Sequence, residues 1–204
     1  MHFRLGELFC GPGGLAWGAL HADIGNPDFR IVHQWANDYD KSTCETYRRN
    51  ICPDDPDSVY HADIRKFDLE QLTGIDALAF GFPCNDYSTV GEQKGMDGTF
   101  GPLYSYGVKA LKIFRPQWFL AENVSGLQNA NEGKAFTKIL EELRGAGYRI
   151  GHIVVVELYH VVVVDLWVEV VDCRHLCGEA VASGHKQRQR QPRGIVKLVE
   201  QYQI

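Results

Sequence analysis

The chain has 204 residues, of which 45% are hydrophobic and 23% are charged, with 21 Gly and 8 Pro. These values are close to the averages of soluble globular proteins, and they exclude a disordered, collagen-like or coiled-coil chain. The formal charge of −5 and the pI of about 5.9 exclude the overall basic surface of a compact nucleic-acid-binding module, so any contact with nucleic acid must be local.

The N-terminus and the cysteine content favour an intracellular protein. Residues 1–4 (MHFR) contain no apolar signal region, so we expect the six cysteines to lie in a reducing compartment, where disulfides are rare. The most apolar stretch, residues 153–171, is interrupted by charged residues and does not reach the ~20 apolar residues needed to span a bilayer. We therefore expect a cytoplasmic protein with no membrane contact.

Predicted strands and helices alternate along residues 1–150. Short apolar runs predict strands over residues 3–9, 31–36, 75–80 and 117–121. Helices are predicted over residues 15–21, over 41 to about 49 with Asp40 as the N-cap, from Pro102 to just before Arg115, and over 133–144. This alternation predicts an α/β fold with a mostly parallel sheet that is covered on both faces.

The pattern changes after residue 150. Ten of the nineteen residues from 153 to 171 are valine, which predicts one or two strands, and four basic side chains follow within residues 186–193. We therefore divide the chain into residues 1–150 and residues 151–204.

A glycine-rich turn follows the first predicted strand. The pattern Gly11-x-Gly13-x-x-Ala16 stands between a strand and a helix. Such a turn lets the backbone approach a ligand closely and directs N–H groups of the helix towards it. The turn indicates cofactor binding, but by itself it does not separate a nicotinamide dinucleotide from S-adenosylmethionine.

Side chains after the next two predicted strands complete this candidate cofactor site. Asp38 stands just past the second strand, where an acidic residue is expected to accept hydrogen bonds from ribose hydroxyls. Its neighbour Tyr39 is suited to stack on an adenine. Asp63 and Ile64, which we place after a further short strand between the helix over residues 41–49 and the strand over residues 75–80, are expected at the edge of that adenine.

Two further segments are expected at the same edge of the sheet. Cys84 follows the strand over residues 75–80, and Glu122 with Asn123 ends the strand over residues 117–121. Ligands of open α/β sheets bind beyond the carboxyl ends of the strands. A thiol of pKa ~8.5 is only a few per cent thiolate at neutral pH, so a nucleophilic Cys84 needs help from its surroundings. A nucleophile and an acid beside a cofactor turn are the combination expected of covalent catalysis.

Together these segments resemble the DNA (cytosine-5) methyltransferases of bacterial modification systems. The resemblance rests on FCGPGG at residues 9–14, GFPC at 81–84 and ENV at 122–124, in that order, and it covers residues 4 to about 150. It implies a Rossmann-like methyltransferase domain, C-terminally truncated, with S-adenosyl-L-methionine as cofactor. The positions that match the family's cofactor site are Phe9, Gly11, Gly13, Gly14, Leu15, Asp38, Tyr39, Asp63, Ile64, Pro83 and Leu103.

The resemblance also implies the reaction, which is methyl transfer to C5 of cytosine in DNA. Cys84 would add to C6 of the base while protonated Glu122 holds ring N3, and Asn123 would steady the Cys84 loop. A carboxyl group that donates near neutral pH needs a raised pKa, which burial supplies. The implied partner is double-stranded DNA from which the cytosine is flipped, at a cost of a few kcal/mol.

Residues 151–204 depart from the family pattern. The segment Lys186-x-Arg188-x-Arg190 resembles the family's Gln-x-Arg-x-Arg segment, but a solvated basic tail is favoured, and no target-recognition domain is recognisable. In order of preference, the sequence indicates a truncated or frame-shifted product, the catalytic part of a split enzyme with recognition on a second polypeptide, or a minimal enzyme. We expect the chain alone to bind S-adenosylmethionine weakly and to methylate little.

Other functions stay open at the level of sequence. An RNA cytosine-5 methyltransferase shares the same catalytic residues, and an inactive S-adenosylmethionine-binding remnant needs no reactive cysteine. A nicotinamide-dependent oxidoreductase explains the glycine turn and Asp38, but it gives Cys84 and Glu122 no role. No metal is expected, because the spacing of Cys173-x-His175-x-Cys177 is not a common zinc pattern.

Overall fold

The computed structural model of the chain describes residues 1–22, 25–83, 103–130, 132–155 and 164–170. Cys84 lies outside the described residues, as do the cysteine–histidine motif at 173–177 and the basic segment at 186–193. Within the described ranges, no helix is long and apolar enough to cross a membrane.

The strands and helices predicted within residues 1–150 are confirmed, with ends that shift by a few residues. The strands are β1 (His2–Leu8), β2 (Arg30–Asp38), β3 (Val59–His61), β4 (Ala77–Gly81), β5 (Trp118–Val124), β6 (Gly151–Val155) and β7 (Val164–Val170). The helices are α1 (Gly14–Leu20), α2 (Lys41–Ile51), α3 (Tyr104–Phe114) and α4 (Lys134–Gly145), and short 3-10 helices cover Pro56–Ser58, Leu69–Gln71 and Ser125–Asn129.

The strands form one sheet in the order β3-β2-β1-β4-β5-β7-β6. Strands β1 to β5 are parallel to their neighbours, whereas β7 runs antiparallel to both β5 and β6. The prediction of an α/β fold with a mostly parallel sheet is therefore confirmed. The valine-rich stretch supplies β6 and β7, so the sheet continues past residue 150.

Helices cover both faces of the sheet, and each face has its own hydrophobic core. On one face, Leu5 of β1 packs in a cluster with Cys44 and Tyr47 of α2. On the other face, Phe80 of β4 and Phe119 of β5 pack in a cluster with residues of α3 and α4. Full burial of a Leu or Phe side chain contributes roughly 1.5–3 kcal/mol to the free energy of folding. Packing in both layers therefore holds the strands in register.

Local signals set the helix ends as the sequence indicates. The Asp40 carboxylate accepts a hydrogen bond from the Thr43 N–H at 2.8 Å, which confirms the predicted N-cap of α2. Helix α3 ends at Arg115, whose φ of 47° is left-handed, directly before Pro116. A residue before proline is disfavoured in the helical region, so the chain leaves the helix there.

One glycine of α3 allows the helix to approach the sheet closely. A Cβ on Gly107 would lie only 2.4 Å from Cε2 of the buried Phe80 ring. Glycine makes a helix less stable than alanine does. Its presence at position 107 is explained by the Phe80 ring, which occupies the space that a side chain would need.

We predict that Gly107→Ala destabilises the fold although alanine favours helix. Overpacking against Phe80 should lower the free energy of unfolding by about 1–3 kcal/mol, measured by denaturant titration. The matched control is Gly18→Ala in α1, where no atom of the described residues outside the helix's own backbone lies within 4 Å of a Cβ, and which should gain about 0.5–1 kcal/mol. A Gly107→Ala protein as stable as the wild type would contradict the close packing.

Candidate active site

The carboxyl ends of β1 to β5 lie along one edge of the sheet because these strands are parallel. From β1 the chain proceeds outward through β2 and β3, and then it returns to β4 and β5 on the other side of β1. The order therefore reverses between β1 and β4, and ligands of open α/β sheets bind at such a reversal. The structure brings the described candidate residues to this edge or to the segments that follow it.

The turn between β1 and α1 contains three residues with left-handed backbone. Phe9, Gly11 and Gly13 have φ angles of 55°, 53° and 102°. A left-handed non-glycine residue such as Phe9 costs roughly 1–2 kcal/mol, and such strain clusters at functional sites. Among the residues that the structure describes, and apart from the adjoining backbone, no atom lies within 4 Å of a Cβ position on Gly11 or Gly14. This part of the chain therefore leaves the backbone open to a ligand there.

Asp38 fixes this turn to the start of α2. Its Oδ2 accepts a hydrogen bond from the Gly11 N–H at 2.9 Å, and its Oδ1 accepts one from the Asp40 N–H at 2.9 Å. The Asp38 residue is only 8% exposed. A carboxylate offers about four acceptor positions, so Asp38 retains the capacity to accept from a ligand as well.

Two other candidate side chains at this edge are polar and accessible. Tyr39 is 69% exposed, so its ring is accessible for stacking. Both carboxylate oxygens of Asp63 are bound by the Arg65 guanidinium, with Nη2–Oδ2 at 2.8 Å and Nε–Oδ1 at 2.9 Å. These hydrogen bonds lower the pKa of Asp63 to about 2, so Asp63 is an ionised acceptor. Ile64 and Leu103 instead place their side chains in the hydrophobic core.

Glu122 and Leu15 meet at Gly81. Gly81 and Glu122 are register partners at the ends of β4 and β5. A Cβ on Gly81 would lie 2.9 Å from the Glu122 Oε2 and 4.0 Å from the Leu15 Cδ1. Glycine at position 81 therefore makes room for the Glu122 carboxyl group. The structure thus brings a candidate cofactor residue and the candidate acid to the same point.

Asn123 connects the end of β5 to the segment that leads to Cys84. Its Nδ2 donates to the Phe82 carbonyl at 2.9 Å, its Oδ1 accepts from the Val124 N–H at 2.9 Å, and the residue is 1% exposed. Phe82 and Pro83 directly precede Cys84 in the chain. The Asn123 amide therefore fixes the backbone two residues before the candidate nucleophile.

A buried polar pair below the turn was not predicted from the sequence. Glu7 in β1 is 1% exposed, and its Oε2 lies 2.9 Å from the hydroxyl of Tyr47 in α2. Burial raises the pKa of Glu7 to about 8. The available sequence signal is an acidic residue directly before an apolar residue at the end of a buried strand that feeds the glycine turn.

Comparison with known proteins agrees with this arrangement. The sequence model of the C-5 cytosine-specific DNA methylase family matches residues 3–159. The chain belongs to this family. The match includes the glycine turn, Gly81 and the pair Glu122–Asn123, so the segments that meet at the sheet edge all lie inside the family region.

Two bacterial type II methyltransferases are similar to this chain. The type II methyltransferase M.BbvI of Brevibacillus brevis is 58% identical over 167 residues, which covers 78% of this chain and 44% of that protein. The type II methyltransferase M.NgoFVII of Neisseria gonorrhoeae is 34% identical over 146 residues, which covers 71% of this chain and 36% of that protein. The chain therefore spans less than half the length of either relative.

Solved structures share the fold. A crystal structure of the S. pombe Dnmt2 methyltransferase superposes with a TM-score of 0.58 at 16% identity, covering 82% of this chain and 49% of that one. The Entamoeba histolytica methyltransferase EhMeth gives a TM-score of 0.61 at 17% identity, covering 82% of this chain and 52% of that one. At these identities the likeness supports the Rossmann-like architecture alone.

Proposed function

We propose that the chain carries the cofactor-binding and catalytic part of a DNA (cytosine-5-)-methyltransferase of a restriction-modification system. The observation that carries this proposal is the meeting of Leu15 and Glu122 at Gly81. Through it, a carboxyl group lies directly beside the helix that follows the glycine turn. Membership of the C-5 cytosine-specific DNA methylase family supports the type of reaction.

The residues at the sheet edge fit S-adenosyl-L-methionine. The open backbone at Gly11 and Gly14 admits a close ligand. The remaining acceptor positions of Asp38 suit ribose hydroxyls, the exposed ring of Tyr39 suits an adenine face, and the ionised Asp63 suits the amino group of adenine. When bound, S-adenosyl-L-methionine would supply the methyl group. The proposed cofactor residues are Phe9, Gly11, Gly13, Gly14, Leu15, Asp38, Tyr39, Asp63, Ile64, Pro83 and Leu103.

Cys84 and Glu122 divide the activation of the base between them. C5 of cytosine is a poor nucleophile, so the Cys84 sulfur first forms a bond to C6 while the protonated Glu122 carboxyl donates to ring N3 and draws electron density towards it. C5 would then bond to the methyl group while the bond between that group and the sulfonium sulfur of the cofactor breaks, which leaves a neutral thioether. A base would take the C5 proton, the sulfur–C6 bond would cleave to release the Cys84 thiolate, and N3 would return its proton to Glu122, so that the aromatic ring is restored.

Gly81 and Asn123 act as positioning residues in this scheme. Gly81 leaves space for the Glu122 carboxyl group, and Asn123 holds the Phe82 carbonyl. Cys84 is two residues beyond Phe82, so the Asn123 amide restricts where the thiol can be presented. A misplacement of about 1 Å can cost ~10²-fold in rate, which is why such positioning matters.

The proposed partner is double-stranded DNA with the target cytosine flipped out of the duplex, and the proposed location is the cytoplasm. The relatives give no support to a second polypeptide, so it is not part of the proposal. A nicotinamide-dependent oxidoreductase is disfavoured because it leaves the Glu122 and Asn123 contacts at this edge without a role.

The proposal is tested by methyl transfer from labelled S-adenosyl-L-methionine to double-stranded DNA and, in parallel, to transfer RNA. We expect slow labelling of DNA at C5 of cytosine and no labelling with Cys84→Ser. Labelling of transfer RNA alone would assign the RNA activity instead. Cofactor binding without transfer to either substrate would mean an inactive binding protein, and tighter binding of a nicotinamide dinucleotide would mean an oxidoreductase.

We predict that Gly81→Ala separates catalysis from cofactor binding. The new Cβ would displace the Glu122 carboxyl group at 2.9 Å, whereas its 4.0 Å contact with Leu15 is ordinary. The rate of methyl transfer should fall about 10²-fold, and the affinity for S-adenosyl-L-methionine measured by calorimetry should stay within about twofold. Gly18→Ala is the control and should change neither. If Gly81→Ala left the rate of methyl transfer unchanged, this result would contradict the proposed role of Glu122 as the acid.

A further inference from the structure

A chain of buried polar side chains runs beneath the glycine turn. Glu7 Oε2 and the Tyr47 hydroxyl are 2.9 Å apart, and the same hydroxyl lies 3.3 Å from the His33 Nδ1. The His33 Nε2 lies 2.7 Å from the Ser58 hydroxyl, which donates to the Asp55 carbonyl at 2.6 Å. These side chains come from β1, α2, β2 and the 3-10 helix Pro56–Ser58, so the chain ties four elements together.

This polar chain supports the turn directly. A Cβ on Gly13 would lie 3.1 Å from Cδ2 of Tyr47 and 2.7 Å from Cγ1 of Ile51. The Tyr47 ring therefore contacts the backbone at the third left-handed position of the turn, where φ is 102°. The hydroxyl of the same ring contacts Glu7, which lies two residues before Phe9, where the turn begins. Tyr47 thus lies against the turn at Gly13 and also contacts the residue of β1 that stands two positions before the turn.

When Glu7 carries a proton, each hydrogen bond among these polar side chains can have one donor and one acceptor. The Ser58 hydroxyl proton is directed to Asp55, so the Ser58 oxygen must accept from the His33 Nε2–H, and this leaves His33 Nδ1 as an acceptor. Burial lowers the pKa of His33, which agrees with a neutral ring. In the structure the Tyr47 hydroxyl donates to Glu7 Oε2, as it does to an ionised carboxylate. With Glu7 protonated, the same hydroxyl would instead accept from Glu7 and donate to His33 Nδ1.

Ionised Glu7 disrupts this order. Its oxygen must then accept the single proton of Tyr47, so that Tyr47 no longer donates to Nδ1 of the half-buried His33. Besides burial, repulsion from Asp38 at the end of β2 raises the pKa of Glu7, whereas Cys10 in the turn stays a neutral thiol because burial raises its own pKa. The neighbouring elements β4 (ALAFG) and α1 (GLAWGAL) contain no titratable residue. No nearby cation from these elements therefore compensates the charge.

We propose that Tyr47 and Glu7 are positioning residues of the cofactor site, and that their proton-bearing hydrogen bond holds the glycine turn in its binding conformation. The inference rests on the proposed function, because the ligand of the turn is taken to be S-adenosyl-L-methionine. Neither residue is expected to touch the ligand. Their effect passes through the backbone at Gly13 and through Asp38, which binds the Gly11 N–H.

The first test removes one hydroxyl and keeps the ring. Tyr47→Phe should weaken binding of S-adenosyl-L-methionine about fivefold in calorimetry, which is the size of effect expected from one lost hydrogen bond. The matched control is Tyr148→Phe, because the Tyr148 hydroxyl is also buried and donates to the Pro116 carbonyl at 2.8 Å in the opposite core. Tyr148→Phe should lose stability without losing affinity. Equal affinities for the two variants would overturn the inference and leave the proposed function intact.

The second test uses the pH dependence of binding between about pH 6 and pH 10. Because the pKa of Glu7 is raised to about 8, wild-type affinity should hold below that pH and fall above it. Glu7→Gln stays neutral and its amide can donate to Tyr47, so its affinity should match the wild type at low pH and lack this fall. The ligand's own amino group titrates identically in both experiments, so the difference reports on Glu7.

The outcomes separate the two proposals. Parallel pH profiles for the wild type and Glu7→Gln, or a Glu7→Gln protein as weak as Tyr47→Phe at every pH, would overturn the role of the Glu7 proton. A wild-type chain that binds no S-adenosyl-L-methionine at any pH would overturn the proposed function together with this inference. Circular dichroism of each variant verifies folding, and Glu7→Gln provides the answer if Tyr47→Phe does not fold.

Discussion

The parallel pairing of β1, β4 and β5 is the constraint on which the site depends. It aligns the carboxyl ends of these strands, so that Gly81 and Glu122 become register partners at the edge where the glycine turn begins. Since Gly81 has no side chain, the Glu122 carboxyl group occupies the space beside Leu15. Two helical layers with separate cores hold this register. The geometry of the proposed active site is thus a consequence of strand order and of one absent Cβ.

The site also carries unfavourable features that the rest of the fold offsets. The left-handed Phe9 and the buried Glu7 each oppose folding. Phe9 lies in the turn between β1 and α1, and Glu7 lies in β1 two residues before it. Asp38 offsets part of this cost by binding the Gly11 and Asp40 N–H groups, and Tyr47 does so through Glu7. The contacts that stabilise the strained turn therefore also restrict its conformations. Such a restriction suits a turn that is proposed to bind a ligand.

Much of the architecture was predictable because its signals are local. The Asp40 cap, the break at Arg115–Pro116 and the apolar runs each act within a few residues, and they define α2, α3 and the strands. The antiparallel position of β7 between β5 and β6 was not predictable, because pairing partners distant in sequence leave no local pattern. The contact of Glu7 with Tyr47 spans 40 positions, so the sequence shows an acidic residue in a strand but not its partner. Sequence motifs identify the segments of the candidate site, whereas the space that Gly81 leaves for the Glu122 carboxyl group is visible only in the structure.

The central claim is that Cys84 attacks cytosine from the edge where Glu122 and the glycine turn meet. It is tested most directly by incubating the chain and S-adenosyl-L-methionine with duplex DNA that contains 5-fluorocytosine. Fluorine at C5 blocks the final loss of a proton, so the account predicts a protein–DNA complex that survives denaturing electrophoresis and is absent for Cys84→Ser. A chain that binds S-adenosyl-L-methionine but forms no such complex would contradict the covalent mechanism.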